Sequence, residues 1–382
     1  MAAKVPVKKE LLNWAYNRSL HQDKLQKKFK LLDKWLAGEK QPTFKQLEAY
    51  AAATATPLGY FFLKQPPNET LPIPHYRTVE DGESGKVSPD LIETLHIMQR
   101  RQDFMKDYYE QHIGTKLDFV GSNKGSTVTQ IAQKILNLLG LQQDWARQHK
   151  TFHEALKYLI EKCEKVRITV MQNGIVGGNT HRALNVSEFR GFVLVDEVAP
   201  LIFINAVDTK SAQIFTLIHE VAHILIGSSA VVEASPLNSH NAAVEKLCNE
   251  AAAEMLCPRD LFIRQWHTHY PDGVVYETLS NIFKVSPIVI GRRALDLKIV
   301  PREEFFSFYY EYLERLKNQK TSSTSSGNFY NTLMSRLGNT FTSAVVYQAS
   351  TGNIQYSEAF RLTGLKTKTF EKLVKLVQER GV

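Results

Sequence analysis

Cysteine is scarce in this chain of 382 residues: there are three, Cys163, Cys248 and Cys257. So few, and an odd number, argue against a disulfide framework and for a reduced, cytoplasmic protein. No run of about 18 apolar residues occurs, so no membrane-spanning helix is expected. The opening MAAKVPVKKELLNWAYNRS lacks the apolar core of a secretory signal, and none is expected. Internal repeats are absent too. The composition, 43% apolar and 23% charged, excludes wholesale disorder. The length suits two or three domains of roughly 100–200 residues each.

Charge is unevenly spread. Residues 1–50 carry 11 Lys/Arg against 5 Asp/Glu, and residues 317–382 carry 9 against 3, leaving a mildly acidic middle. Basic ends suit segments that meet an acidic partner; solvated helix faces explain the same pattern.

Residues 8–63 pattern as helices, with Thr43 and Gln46 placed for a capping box. Residues 64–78 are proline-rich and read as an extended linker. A helix is expected over 88–112, with Ser88 as N-cap and Pro89 in the first turn. Further helices are expected over 126–139 and 151–164, and strands over 166–172, 191–195 and 200–205. Long helices follow over 209–226 and 241–257, then a helical block over 281–298 and a helix over 303–318. The Ser/Thr-rich NQKTSSTSSGN reads as a flexible linker. The last segment ends in a helix, a glycine turn and a second helix. Helices, then strands, then helices indicate an α+β protein.

The chemistry concentrates in FTLIHEVAHILIG, residues 215–227. His219 and His223 lie four apart, which on a helix puts both imidazoles on one face. Such a pair can share one Zn²⁺. Glu220 stands beside them, within reach of a metal-bound water, to take its proton and pass it to the leaving amine. Chance occurrence, or a buried pair satisfied by carbonyls, is the plainer alternative. Against it stand an amphipathic helix ending at Gly227 and a carboxylate-bearing helix shortly after. On that second helix Glu245 is the expected third ligand, with Glu250 in reserve and Cys248 as a softer alternative. Asn249, one turn beyond Glu245, is placed to orient a ligand from outside. The small residues 251–253 predict close packing against the first helix. The strand before the motif helix, 200–205, is taken either as a substrate-binding edge or as an interior strand. Asn205 at its end is a candidate substrate contact. His181, after a Gly-Gly turn, is another, near the metal or the oxyanion.

The stretches GFVLVDEVAPLIFINAVD, IFTLIHEVAHILIG and EKLCNEAAAEMLCP together resemble the ImmA/IrrE-type zinc peptidases, well over residues 165–260 and more loosely over 60–315. The resemblance implies a mainly helical, zincin-like metallopeptidase core with a small sheet. It implies His219, His223 and Glu245 as zinc ligands and Glu220 as general base. It also implies a protein substrate, a helix-turn-helix repressor or antitoxin-like partner, and a setting in stress response or toxin–antitoxin control. Cys257 before Pro258 departs from the methionine common there. Residues 8–60 resemble the XRE-like helix-turn-helix domain of one branch of the family. The stretch Phe29-Lys30-Leu31-Leu32 leaves the usual turn short, so a degenerate module that docks another protein or covers the active site competes with DNA binding through Lys24, Lys27, Lys28, Lys30 and Lys34.

The expected organisation is therefore a helix-turn-helix domain over 1–65, a linker and helix over 66–120, the zinc metallopeptidase over 121–315, a flexible linker over 316–327 and a C-terminal helical domain over 328–382. The competing function is a DNA-binding regulator or toxin–antitoxin component built on a peptidase-like scaffold.

Overall fold

The computed structural model describes residues 3–19, 22–68, 87–228, 230–232, 242–270, 274–318 and 329–380. Most of the proline-rich and Ser/Thr-rich linkers expected from the sequence lies outside these residues. The chain divides into two compact units, one of residues 1–72 and 79–96, the other of residues 73–78 and 97–382. Among the described residues no helix is long and apolar enough to cross a membrane.

The first unit packs short helices, Lys9–Arg18, Gln22–Lys28, Leu32–Leu36 and Phe44–Ala53, and a 3₁₀ turn at Leu58–Phe62. Three residues separate the second helix from the third, and the third is only five residues long. The capping box forms as expected: the Thr43 side chain accepts from Gln46 N–H, and Gln46 reaches back to Thr43. This anchors the helix that carries Leu47 and Tyr50 into a core with Leu11, Leu12, Trp35 and Phe61. Tyr50 is buried, and its hydroxyl donates to Leu12 O at 2.9 Å, which satisfies the one polar atom it brings inside. Ser88 accepts from Leu91 N–H at 3.1 Å and opens the helix Pro89–His112.

The second unit is α+β, as its order of elements predicts. A mixed sheet holds β1 (Thr169–Asn173), β5 (Leu201–Asn205), β4 (Gly191–Leu194) and β6 (Ala230–Val232), side by side in that order. β1 and β5 run parallel, and β4 is antiparallel to both β5 and β6. A separate hairpin joins β2 (Ile175–Val176) to β3 (Asn179–Ala183). β1, β4 and β5 are buried along their whole length, so they read as continuous apolar runs instead of alternating ones. The 200–205 strand is thus interior, hydrogen-bonded to a strand on each side. Its alternative as a substrate-binding edge is overturned, because no edge remains to pair.

Helices cover the sheet. Thr127 and Thr151 each form a capping box and start the helices Val128–Leu139 and Phe152–Lys165, whose apolar faces enter one core with the motif helix. The helical block expected over 281–298 is two helices, Val275–Phe283 and Pro287–Asp296. Lys284, at φ 57°, leaves the helical region, and Ser286 caps the next helix by accepting from Val289 N–H. After the helix Arg302–Asn318, four more helices follow among the described residues, the last two (Tyr356–Thr363 and Thr367–Arg380) meeting at Gly364 as expected. The first of the four, Phe329–Leu337, packs against β1, where the Ser335 hydroxyl donates to Gln172 Oε1 at 2.7 Å.

Candidate metal centre

The motif helix spans Lys210–Ile226. Thr209 caps its start by accepting from Ala212 N–H, and Gly227, at φ 80°, ends it in the left-handed region that favours glycine. It is not amphipathic as expected. Nearly every residue from Gln213 to Ile226 is buried, because the sheet lies on one side and three helices on the other. The partner helix, Ala242–Leu256, packs on it and on the helix Val128–Leu139, and its small residues Ala251 and Ala252 are buried.

This packing brings three donor groups together. His219 Nε2 and His223 Nε2 lie 3.0 Å apart. Glu245 places Oε2 3.2 Å from His219 Nε2 and Oε1 3.1 Å from His223 Nε2. All three side chains fall in one group within 4.8 Å, the one such group of three or more His, Cys, Asp or Glu among the described residues. Both imidazoles are at most 1% exposed. Donor atoms sharing one tetrahedral zinc at ~2.1 Å stand about 3.4 Å from each other. The observed spacings therefore suit a single small cation. Further polar atoms here are buried with no hydrogen-bond partner: both imidazole Nδ1 atoms and both carboxylate oxygens of Glu220. Glu245 Oε1, one of the three donors, is likewise buried without a hydrogen-bond partner, and a cation held by the group would satisfy it.

Electrostatics favour the same arrangement. Burial tends to raise the Glu245 carboxyl, but the hydrogen bonds and charges of His219 and His223 outweigh it and hold it down at about 2. Burial, with the neighbouring His219, lowers His223, although Glu245 opposes the change. An ionised carboxylate and a neutral imidazole are the forms that bind a metal. Glu220 goes the other way, driven well up by burial and by the charge of Glu245.

The other sequence candidates lie elsewhere. Asn249 is half-buried on the partner helix and makes no hydrogen bond to either histidine among the described residues. Glu250 is 3.9 Å from Lys246, and Glu254 pairs with Arg293; neither joins the donor group, nor does the buried Cys248. Asn205 is fully buried: its amide donates to Phe189 O at 3.1 Å, and its Oδ1 accepts from Val207 N–H. It shapes the turn into the motif helix and cannot face a substrate. His181 is exposed on β3 and outside the donor group.

Gly191 was not anticipated. A Cβ there would lie 2.6 Å from Thr216 Cγ2, 2.8 Å from Phe203 O and 3.4 Å from Glu220 Oε1. Its missing side chain lets β4 lie directly over the Glu220 turn of the motif helix. A glycine opening an apolar strand is the only trace of this in the sequence.

Residues 163–295 match a peptidase family, described as the IrrE N-terminal-like domain. This family match and the His/Glu donor group together suggest a metallopeptidase-like domain. The match spans β1, the motif helix and the partner helix, and supports the resemblance to ImmA/IrrE-type peptidases. Residues 337–375 match a domain of unknown function. No curated protein matches the chain.

Proposed function

We propose that the chain is a zinc-dependent endopeptidase that hydrolyses a peptide bond in a protein substrate, a helix-turn-helix repressor or an antitoxin-like partner. The observation that carries this reading is the convergence of His219, His223 and Glu245 beside the buried, unpartnered carboxylate of Glu220. His219, His223 and Glu245 would hold the metal. When bound, zinc supplies Lewis acidity, lowering the pKa of a water and polarising the scissile carbonyl. Glu220 accepts the proton of the attacking water and returns it to the leaving amine, so that water adds across the C–N bond. The substrate class rests on the family resemblance.

The test pairs zinc content per chain with cleavage of a peptide library. Wild type should hold one zinc and cleave. E220Q should keep the zinc and lose cleavage, and E245A should lose both. A metal-free wild type that takes up no added zinc would overturn the reading.

A second reading concerns the first unit. Lys24, Lys27, Lys28, Lys30 and Lys34 are all exposed within and between its helices Gln22–Lys28 and Leu32–Leu36. We propose that this surface docks the protein substrate, and that DNA is the competing partner. DNA binding would show as a steep loss of affinity with salt, removed by substituting these lysines.

A further inference from the structure

The last turn of the motif helix carries His223, and a helix leaves its final carbonyls without intrahelical donors. Here a loop from well outside the family match supplies them. Gly121 N–H donates to Ile224 O at 3.0 Å, and Asn123 N–H donates to Leu225 O at 2.9 Å. Gly227 N–H and Ser228 N–H both return to His223 O, at 2.8 and 3.1 Å. The loop is held in shape by its own bonds. The Ser122 hydroxyl donates to Asn123 Oδ1 at 2.9 Å, and Asn123 Nδ2 donates to Ser126 Oγ at 3.2 Å. Asn123 is buried despite being polar.

Two glycines make this contact possible. A Cβ on Gly227 would stand 3.0 Å from Gly121 Cα, backbone against backbone, where no flexible side chain can yield. Gly121 and Gly227 also both have positive φ, at 67° and 80°.

We infer that loop 117–126 is a brace that positions His223, with the Gly121–Gly227 contact as its joint. The loop pins the carbonyls immediately after the histidine, so it fixes the pitch of the turn from which Nε2 projects. A loosened turn spreads the His223 ring over more positions and weakens the three-donor group without removing a donor. Gly121 and Gly227 are positioning residues; neither touches the metal or the substrate. The inference rests on the metal-site reading above.

The experiment is a chelator competition that measures zinc affinity of the folded, full-length protein below its melting temperature. G227A forces the loop away from the helix. G140A is the control: Gly140 ends the helix Val128–Leu139 at φ 60°, and its only close neighbour is the Lys162 ammonium at 3.7 Å. Both variants bear the strain of alanine at positive φ, so both melt lower. Only G227A should bind zinc more weakly, by about tenfold or more, the scale on which outer-shell support acts. Should G227A not fold, N123A loosens the loop and leaves both glycines in place; a smaller loss of affinity is then expected. Wild-type affinity in G227A, or in N123A if that is the variant measured, overturns the brace. An equal loss in G140A overturns it too. A wild type that binds no zinc, or an H219A variant that still binds it, refutes the metal-site reading instead.

Discussion

Glu164 caps a helix that is not its own: its Oε1 accepts the backbone N–H of Asn339 at 3.0 Å, at the start of the helix Asn339–Ser350. Gly338, the residue before, has no side chain to do this. A carboxylate suits the positive end of a helix dipole. The contact nevertheless sits in a partly buried place. Burial raises the Glu164 carboxyl to about 7, against the lowering effect of the Asn339 and Thr340 bonds. A folded-state value above the unfolded one means that the fold favours the proton. The associated stability is complete below the ordinary carboxyl range and declines as pH rises through about 7. E164Q carries no such titration. Thermal unfolding at pH 5.5 and pH 8 should show E164Q gaining on wild type at the higher pH. A constant difference between the two proteins would refute this.

Metal removal should destabilise the second unit. A ligand that binds only the folded state, at a hundredfold excess over its dissociation constant, adds about 2.7 kcal/mol. Dialysis against a chelator should lower the melting temperature, and added zinc should restore it. H219A and H223A should melt at the same temperature with or without zinc.

Arg101 is a buried guanidinium whose Nε donates to Leu362 O at 3.0 Å while its plane lies over the Phe341 ring. Nη1 points to Met171 Sδ at 3.3 Å, and burial, with the adjacent Arg100, lowers its pKa to about 10. It ties the helix Pro89–His112 to both β1 and the C-terminal helices. R101A leaves a cavity and strands the Leu362 carbonyl, at a cost of about 2–4 kcal/mol. Urea unfolding measures this, and limited proteolysis should show earlier cleavage within residues 329–380.

G191A should destabilise by about 1–3 kcal/mol through overpacking against Thr216 and Phe203 O. Adding T216S removes the methyl group at 2.6 Å and should recover part of the loss. No recovery would mean that the Phe203 carbonyl alone sets the cost.

The helices and the histidine pair were legible because their signals are local. Two histidines four apart and a terminal glycine belong to one helix, and the Ala run on the next helix announces close packing. Non-local roles were not legible. Asn205 and His181 look alike as polar residues near a strand end. Only the fold shows one spent on Phe189 O and the other exposed on a hairpin. Whether 200–205 is an edge or a centre depends on β1 pairing with it across thirty residues. Lys284 breaks a helical block by adopting a positive φ, although Ser286-Pro287 was a start signal concealed by the apolar run. Gly191 and Gly227 matter through a partner distant in sequence, which no pattern around them records.

The packing of Phe329–Leu337 on β1 has a consequence for biosynthesis. β1 is the outermost strand of its sheet, and its cover follows it by more than 150 residues. At translation rates of ~5–20 residues per second, a nascent chain spends roughly ten to thirty seconds with that strand made and its cover not yet synthesised. Bare outer strands recruit other strands. Premature termination in the Ser/Thr-rich stretch would make that interval permanent, so truncated products should aggregate even though every residue of the metal centre is present.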